Sequence, residues 1–204
     1  MAKKIILKAL FVLVLHNIIT AQTQQTDKII SLNKLLIVQA TISPGYMNYK
    51  GGLWNSYFHS TLEWCFENRV SIRSDGSYFF TTQGDYKPFK MNHSLLLGAF
   101  YHFPKKKSDF YFGLQPGAAL VQQTSYTYND STILNPRMKV APIITATIGA
   151  NYFFWKYMNM FVALKYVHGT HISDYGNSIS LDELRISAGL GWHIQFTKNK
   201  TYTQ

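Results

Sequence analysis

The sequence predicts an all-β fold, an eight-stranded antiparallel up-and-down transmembrane β-barrel, and three observations carry this prediction. The first is the alternation in "ELRISAGLGWHIQF" (183–196), where apolar side chains occupy every second position. Successive side chains of a strand point to opposite faces, so this stretch separates an apolar face from a polar one. The second observation is the number of such stretches, and the third is the length of the connections between them.

The same alternation returns in seven earlier segments, which makes eight predicted strands. These segments begin at Leu36, Phe58, Val70, His93, Phe110, Val140 and Met158. Bacterial outer-membrane barrels have an even number of antiparallel strands that alternate apolar-out and polar-in. Eight strands enclose an interior that side chains just fill, so we expect no water-filled pore.

The predicted connections alternate between tight turns and longer polar loops. The tight connections are 67–69, 104–109 and 155–157, and the longer ones are 48–56, 82–91, 123–139 and 174–180. Short periplasmic turns and longer outer loops are the layout of an outer-membrane barrel. A soluble sandwich has no reason to sort its connections by length, so this observation favours the barrel.

The N-terminus predicts export. Three lysines within the first eight residues flank the apolar run 5–15, and the small residues Thr20 and Ala21 follow, as in a cleaved signal peptide. The apolar run is shorter than the roughly 20 residues that a membrane-spanning helix needs. The predicted organisation is a signal peptide at 1–21, a periplasmic segment at 22–34, the barrel at 35–196 and a periplasmic tail at 197–204.

Charge and cysteine content restrict the possible functions. Without the signal-peptide lysines the chain keeps 17 basic residues against 10 acidic ones. In an exported chain this balance indicates anionic lipid headgroups as partners rather than nucleic acid. The lone Cys65 excludes an internal disulfide, and we expect an inert buried thiol. The seven histidines show no metal-ligand spacing, so neither a metal nor a cofactor is predicted.

The polar rows of the predicted strands carry small residues and five charges. The charged residues are Glu63, Arg73, Asp75, Lys165 and Arg185. A soluble core would not take so many ions, whereas a hydrogen-bonded barrel interior can pair them. We expect a static network that holds the barrel together, and a gate or a proton path is the alternative interpretation.

Basic residues in the outward connections are candidates for contacts with lipopolysaccharide phosphates. They are Lys50, Lys87, Lys90, Arg137 and Lys139. Positive side chains near phosphate suit that role, but exposed loops are often basic without a ligand. Both interpretations stay open.

Three stretches carry a resemblance to a known family: "LLLGAFYHFPKKKSDFYFGLQPGAAL" (95–120), "ATIGANYFFWKYMNMFVALKYVHGTHISD" (146–174) and "ISAGLGWHIQF" (186–196). With these motifs the chain resembles the small outer-membrane β-barrel proteins common in Bacteroidetes. The resemblance implies the barrel fold and a location in the outer membrane, and it carries no agreed catalytic residues.

The stretch "HISDYGNSISLDE" (171–183) is similar to a motif of the outer-membrane lipid A deacylases, an H-x-S-N stretch followed by a glutamate. This resemblance implies His171 as the base, Ser173 as the nucleophile and Glu183 as the residue that orients the imidazole. Asp174 stands where the enzymes have asparagine. Strand parity also places the three residues inside the barrel, whereas a lipid-cleaving site should face outward.

The sequence therefore predicts a monomeric, non-enzymatic integral protein of the cell outer membrane with a structural, surface-binding or accessory role. Its expected partners are outer-membrane lipids and lipopolysaccharide, and nucleic acid is not expected. Two alternatives stay open. One is a lipid A acyl-ester hydrolase that uses Ser173, His171 and Glu183, and the other is a barrel subunit of an envelope secretion or assembly complex, with envelope proteins as partners.

Overall fold

The structure, a computed structural model, describes residues 30–49, 52–128, 132–134, 136–172 and 178–196. The predicted signal peptide at 1–21, Lys50, Ser173 and the tail at 197–204 lie outside these residues.

The described residues contain eight long strands and three short ones. In chain order they are β1 (Leu35–Met47), β2 (Leu53–Cys65), β3 (Val70–Gln83), β4 (Phe89–Lys105), β5 (Ser108–Gln123), β6 (Tyr126–Tyr128), β7 (Thr132–Leu134), β8 (Lys139–Phe153), β9 (Met158–Ile172), β10 (Ser178–Ser180) and β11 (Glu183–Gln195). The eight long strands pair antiparallel in sequence order, and β11 also pairs with β1, which closes the barrel. The described residues contain no helix that could span a membrane. The predicted eight-stranded barrel is confirmed.

Two of the connections that the sequence predicts to be long are short. Strand β2 begins at Leu53 and β4 at Phe89, so these connections shrink to 48–52 and 84–88. The prediction was wrong there because polar residues continue the strands, as the pairing of Trp54 with Gln83 shows. The longer connections are 124–138, which contains β6 and β7, and 173–182, which contains β10.

The two ends of the barrel are named after their connections. The connections 66–69, 106–107 and 154–157 define the short-turn end, and the opposite end is the loop end. Both ends of the described chain lie at the short-turn end, where the Phe196 N–H donates to the Lys34 carbonyl oxygen (2.9 Å).

Closure between β1 and β11 uses side-chain hydroxyls as well as the backbone ladder. The ladder is interrupted around Pro44, which has no N–H to donate. There the hydroxyls of Thr41 and Ser43 donate to the carbonyl oxygens of Ala188 (2.6 Å) and Ile186 (2.7 Å). Because unpaired backbone groups in hydrocarbon cost several kcal/mol each, these bonds support a closed wall.

Outward-facing side chains form an apolar belt around the barrel. In β11 the apolar row runs from Leu184 (40% exposed) to Ile194 (50% exposed), whereas Arg185 and Ser187 are buried. The other long strands repeat this alternation. The apolar row of the 183–196 stretch therefore faces outward and the polar row faces the interior.

Exposed aromatic side chains gather at both edges of the belt. At the short-turn end they are Phe66, Phe103, Phe110, Phe154, Trp155, Trp192 and Phe196. Towards the loop end they are Tyr46, Trp54, Phe58, Tyr78 and Phe80. Two such girdles flank the apolar band of outer-membrane barrels.

The interior is layered, because apolar clusters lie at both ends of a polar middle. The cluster nearer the loop end contains Met47, Leu53, Tyr57, Phe79, Phe89, Leu96, Val121, Ile143, Val167, Ile179 and Leu181. The cluster at the short-turn end contains Leu32, Leu35, Ile37, Cys65 and Phe153. The expectation of small and charged residues on the inner rows therefore holds for the middle of the barrel, and large apolar residues fill the interior near its ends.

The described residues before β1 cross the short-turn opening. Asn68 Oδ1 accepts hydrogen bonds from the N–H groups of Leu32 (3.0 Å) and Asn33 (3.1 Å). The Ile30 N–H donates to the Lys106 carbonyl oxygen (2.7 Å), and the Leu32 side chain is fully buried. This segment joins turns on different sides of the opening and covers it with an apolar side chain.

Candidate functional site

The five charged residues that the sequence places inside the barrel are all buried in its interior. They are Glu63 on β2, Arg73 and Asp75 on β3, Lys165 on β9, and Arg185 on β11, and none is more than 3% exposed. The fold brings them into three ion-paired groups and adds partners that the sequence did not reveal.

The first group surrounds Glu63 in the half of the barrel nearer the short turns. Its carboxylate accepts from Arg73 Nη2 (2.7 Å) and from the Ser71 hydroxyl (2.5 Å). His102 lies between two acids, with Nε2 3.1 Å from Glu63 Oε1 and Nδ1 2.8 Å from Asp109 Oδ2. Both ring nitrogens therefore face carboxylate oxygens.

The second group joins β3 and β9 across the interior. Lys165 Nζ donates to Asp75 Oδ2, and the Thr61 hydroxyl donates to Asp75 Oδ1 (2.5 Å). Lys165 Nζ also lies 2.9 Å from His59 Nε2, and His59 Nδ1 lies 3.2 Å from the Ser77 hydroxyl. The lysine thus links two strands that are not neighbours in the barrel wall.

The third group surrounds Glu183 at the edge of the apolar cluster of the loop end, where Glu183 pairs in the ladder with the cluster members Met47 and Val167. Its carboxylate accepts from Arg185 Nε (2.7 Å), the Tyr57 hydroxyl (2.8 Å to Oε2) and Asn55 Nδ2 (2.7 Å). Arg185 Nη1 donates to the Ser94 hydroxyl (3.1 Å). Glu183 is therefore a member of the interior network.

Aromatic rings hold both buried guanidinium groups in place. Arg73 Cζ lies 4.1 Å from the ring centroids of Phe100 and Tyr111, and Arg185 Cζ lies 3.9 Å from that of Tyr57. Cation–π contacts of this kind are strongest where the cation is removed from water. The two arginines are therefore fixed by charge pairs and ring faces together.

Sequence reasoning missed several partners in these groups, chiefly His59, His102, Asp109, Tyr57 and Asn55. Their inward parity was available as a signal, because each lies on the same row as residues predicted to face inside. Parity gives the face of a strand but not which residues meet across the interior. These pairings join residues up to 128 positions apart, such as Asn55 and Glu183.

The residues of the deacylase hypothesis face the interior where the structure describes them. His171 is 1% exposed and pairs in the ladder with Ile179, and β9 keeps a constant register with β8 as far as Gly169. The paired part of β9 therefore has no bulge that would turn His171 towards lipid. Since the bonds of the Glu183 carboxylate go to Arg185, Tyr57 and Asn55, the geometry does not favour the hydrolase, and Ser173 lies outside the described residues.

The basic residues predicted to contact lipopolysaccharide lie at the loop end, except for Lys50, which is outside the described residues. Lys87, Lys90 and Arg137 are exposed and Lys139 is half-buried. Asp182 lies at the same end, and its carboxylate meets His168 Nδ1 at 2.7 Å. Burial tends to raise the pKa of Asp182. Hydrogen bonds with the side chains of Ser180 and His168 and with the backbone of Gly169 outweigh burial and hold the pKa below its ordinary value.

A set of possible metal ligands lies in the first group. One donor atom each from Glu63, Cys65 and His102 falls within 4.8 Å of the others, and all three residues are buried. The sequence predicted no metal site because these residues follow no ligand spacing along the chain. Only the pairing of β2 with β3 and of β3 with β4 brings them together.

No family model and no curated protein matches this chain. Among solved structures it is similar to the outer membrane protein OprG from Pseudomonas aeruginosa, with a TM-score of 0.62 and 10% identity over 80% of this chain and 97% of that chain. It is similar to Neisserial surface protein A (NspA), with a TM-score of 0.59 and 11% identity over 79% and 97%.

The attachment invasion locus protein Ail of Yersinia pestis, solved in complex with the heparin analogue sucrose octasulfate, matches with a TM-score of 0.51 and 10% identity. The match covers 78% of this chain and 97% of that chain. Identities this low show a shared fold alone. The protein is thus a small closed β-barrel of the outer-membrane type, with an interior filled by paired charges and apolar clusters.

Proposed function

We propose that this chain is an integral protein of the cell outer membrane, one of the small barrels that its sequence motifs resemble, with a structural or surface-binding role and no enzymatic activity. The observation that carries this proposal is an apolar, aromatic-edged belt around an interior that is ion-paired and filled. The belt suits contact with lipid, and the shared fold of outer-membrane proteins such as OprG supports the location.

The filled interior argues against a role as a solute channel. Arg73, Glu63, Asp75 and Lys165 occupy the middle of the barrel in bonded pairs, and apolar clusters lie at both ends. Opening a path would separate buried charges, which costs several kcal/mol.

Planar-bilayer recordings test whether the interior is closed. We expect the purified, refolded monomer to insert without a large stable conductance. A steady nanosiemens-scale channel that scales with the amount of inserted protein would contradict a closed structural barrel.

The surface-binding role that we propose is binding of lipopolysaccharide phosphates at the loop end. Lys87 and Lys90 are exposed on the β3–β4 side, Arg137 lies on the neighbouring connection before β8, and Lys139 is the first residue of β8. A basic side chain near an anionic membrane surface contributes about 1 kcal/mol. The fold neighbour Ail was solved with a sulfated ligand, so a barrel of this shape accommodates polyanion binding in at least that protein.

A charge-matched pair of variants tests the ligand. Lys87→Ala/Lys90→Ala should weaken binding of fluorescent lipopolysaccharide to the detergent-solubilised barrel by roughly 30-fold, because two contributions of about 1 kcal/mol are lost. Lys105→Ala/Lys156→Ala removes the same charge at the short-turn end and should leave binding near wild type. Equal losses in both variants would show a general charge effect and contradict a site at the loop end.

A further inference from the structure

We propose that Glu63, Cys65 and His102 form a binding site for a zinc-type transition-metal ion inside the barrel, near the short-turn end. This site is separate from lipid binding and goes beyond the proposed function. One carboxylate oxygen, one thiol sulfur and one imidazole nitrogen converge there from β2 and β4, and all three side chains are fully buried. Carboxylate, thiolate and imidazole are the three ligand types that zinc takes in proteins.

The spacing of the donor atoms is close to what a tetrahedral ion requires. His102 Nε2 already lies 3.1 Å from Glu63 Oε1, and the whole set lies within 4.8 Å. Metal–sulfur and metal–nitrogen bonds of about 2.3 and 2.0 Å place tetrahedral ligands about 3.5 Å apart. Ligation therefore requires the donor atoms that are furthest apart, at no more than 4.8 Å, to approach one another to about this spacing.

Asp109 holds the imidazole in the orientation that metal ligation needs. Its Oδ2 accepts from His102 Nδ1 at 2.8 Å, which leaves Nε2 directed at Glu63 and away from Asp109. A ligating histidine almost always donates its other ring nitrogen to a carboxylate or carbonyl in this way. Asp109 Oδ1 is buried and has no hydrogen-bond partner among the described residues, so the group also contains an unused anionic oxygen.

The charge balance of the side chains around the site permits a divalent cation to bind. Glu63 and Asp109 bring two negative charges, and Arg73 brings one fixed positive charge. Binding a divalent ion replaces the proton on His102 Nε2 and the proton on Cys65 Sγ, both released to solvent. The net charge of the group is then unchanged.

The fourth ligand position is next to Ser71. Its hydroxyl lies 2.5 Å from Glu63 Oε1 and 2.8 Å from His102 Nε2, so it occupies the space between two of the ligands. The hydroxyl or a water molecule can complete the coordination there. The thiolate favours zinc-type ions over calcium and magnesium, which prefer oxygen ligands.

Metal content and the cobalt spectrum test the site. The untagged mature chain is refolded from urea into detergent micelles with Zn²⁺ or Co²⁺, so that the ion has access before the interior closes, and is then freed of unbound metal by gel filtration. We expect one ion per barrel and, with Co²⁺, a near-ultraviolet thiolate-to-metal band. Cys65→Ser should abolish the band and reduce retained metal at least tenfold, and Asp109→Asn should weaken affinity about 10–100-fold.

His168→Gln is the matched control, because His168 and Asp182 form an exposed pair that could bind metal at the surface. This variant should retain metal and band as the wild type does. Far-ultraviolet circular dichroism and the heat-dependent gel shift check that each variant folds. If a variant fails to fold, the cobalt band of the wild type still tests thiolate ligation. Retained metal without that band, or metal lost with His168→Gln and kept by Cys65→Ser, would overturn the proposal.

Discussion

The Asp75–Lys165 pair in the middle of the barrel gives the sharpest test of the interior network. Both side chains are buried, at 0% and 3% exposure, and Lys165 donates to one Asp75 oxygen while Thr61 donates to the other. Lys165→Met removes the cation and leaves the carboxylate without its charge partner. Removing one member of a buried pair costs about 3–5 kcal/mol, and we expect a loss of this size in the free energy of unfolding.

The double variant Asp75→Asn/Lys165→Met should be more stable than Lys165→Met alone. It removes both charges at once, and the new amide still offers an oxygen to the Thr61 hydroxyl. Replacing a buried ion pair by uncharged groups of similar volume is often nearly neutral. The second substitution should therefore recover most of what the first one loses.

Urea unfolding in lipid vesicles, followed by tryptophan fluorescence, measures these differences. Trp64 and Trp192 lie on the outward rows and report the transfer of the barrel from lipid to water. The single variant Asp75→Asn completes the comparison. If the loss in the double variant equalled the sum of the losses in Lys165→Met and Asp75→Asn, or if Lys165→Met cost less than about 1 kcal/mol, the reasoning from a buried, coupled pair would be wrong.

Three further predictions concern the wall, the orientation and the enzyme alternative. Leu190→Arg, on the outward row, should cost about 2–4 kcal/mol in vesicles. Gly189→Ser, whose Cβ would meet side-chain atoms of Phe161 and Thr41 at 3.3 Å and push them by a few tenths of an ångström, should cost about 1 kcal/mol, and equal costs would contradict the assigned faces. An epitope tag in 124–138 should be labelled on intact cells and one after Gln204 should not, and the reverse pattern would invert the orientation. Mass spectrometry of lipid A should show the same acylation with wild type and with His171→Ala, and loss of an ester-linked chain with wild type alone would support the hydrolase.

The sequence by itself determined the strands and their faces. Alternation is a local property, because each side chain points opposite to its neighbour whatever lies across the barrel. The inward orientation of Arg73 and Lys165 and the outward orientation of Leu190 could therefore be predicted from parity. The ends of the strands could not, because Trp54 belongs to β2 through its ladder partners Tyr46 on β1 and Gln83 on β3, which lie far from it or beyond a turn in the sequence.

Only the tertiary structure decided which inward residues meet, because that depends on the register of every strand pair around the closed wall. Glu63 and His102 are 39 positions apart and come within 3.1 Å only because β3 lies between their strands in one particular register. A shift of one residue in either pairing would turn a whole strand inside out. The same registers bring Cys65 to this pair, so the candidate metal site is a product of barrel closure and has no spacing motif in the chain.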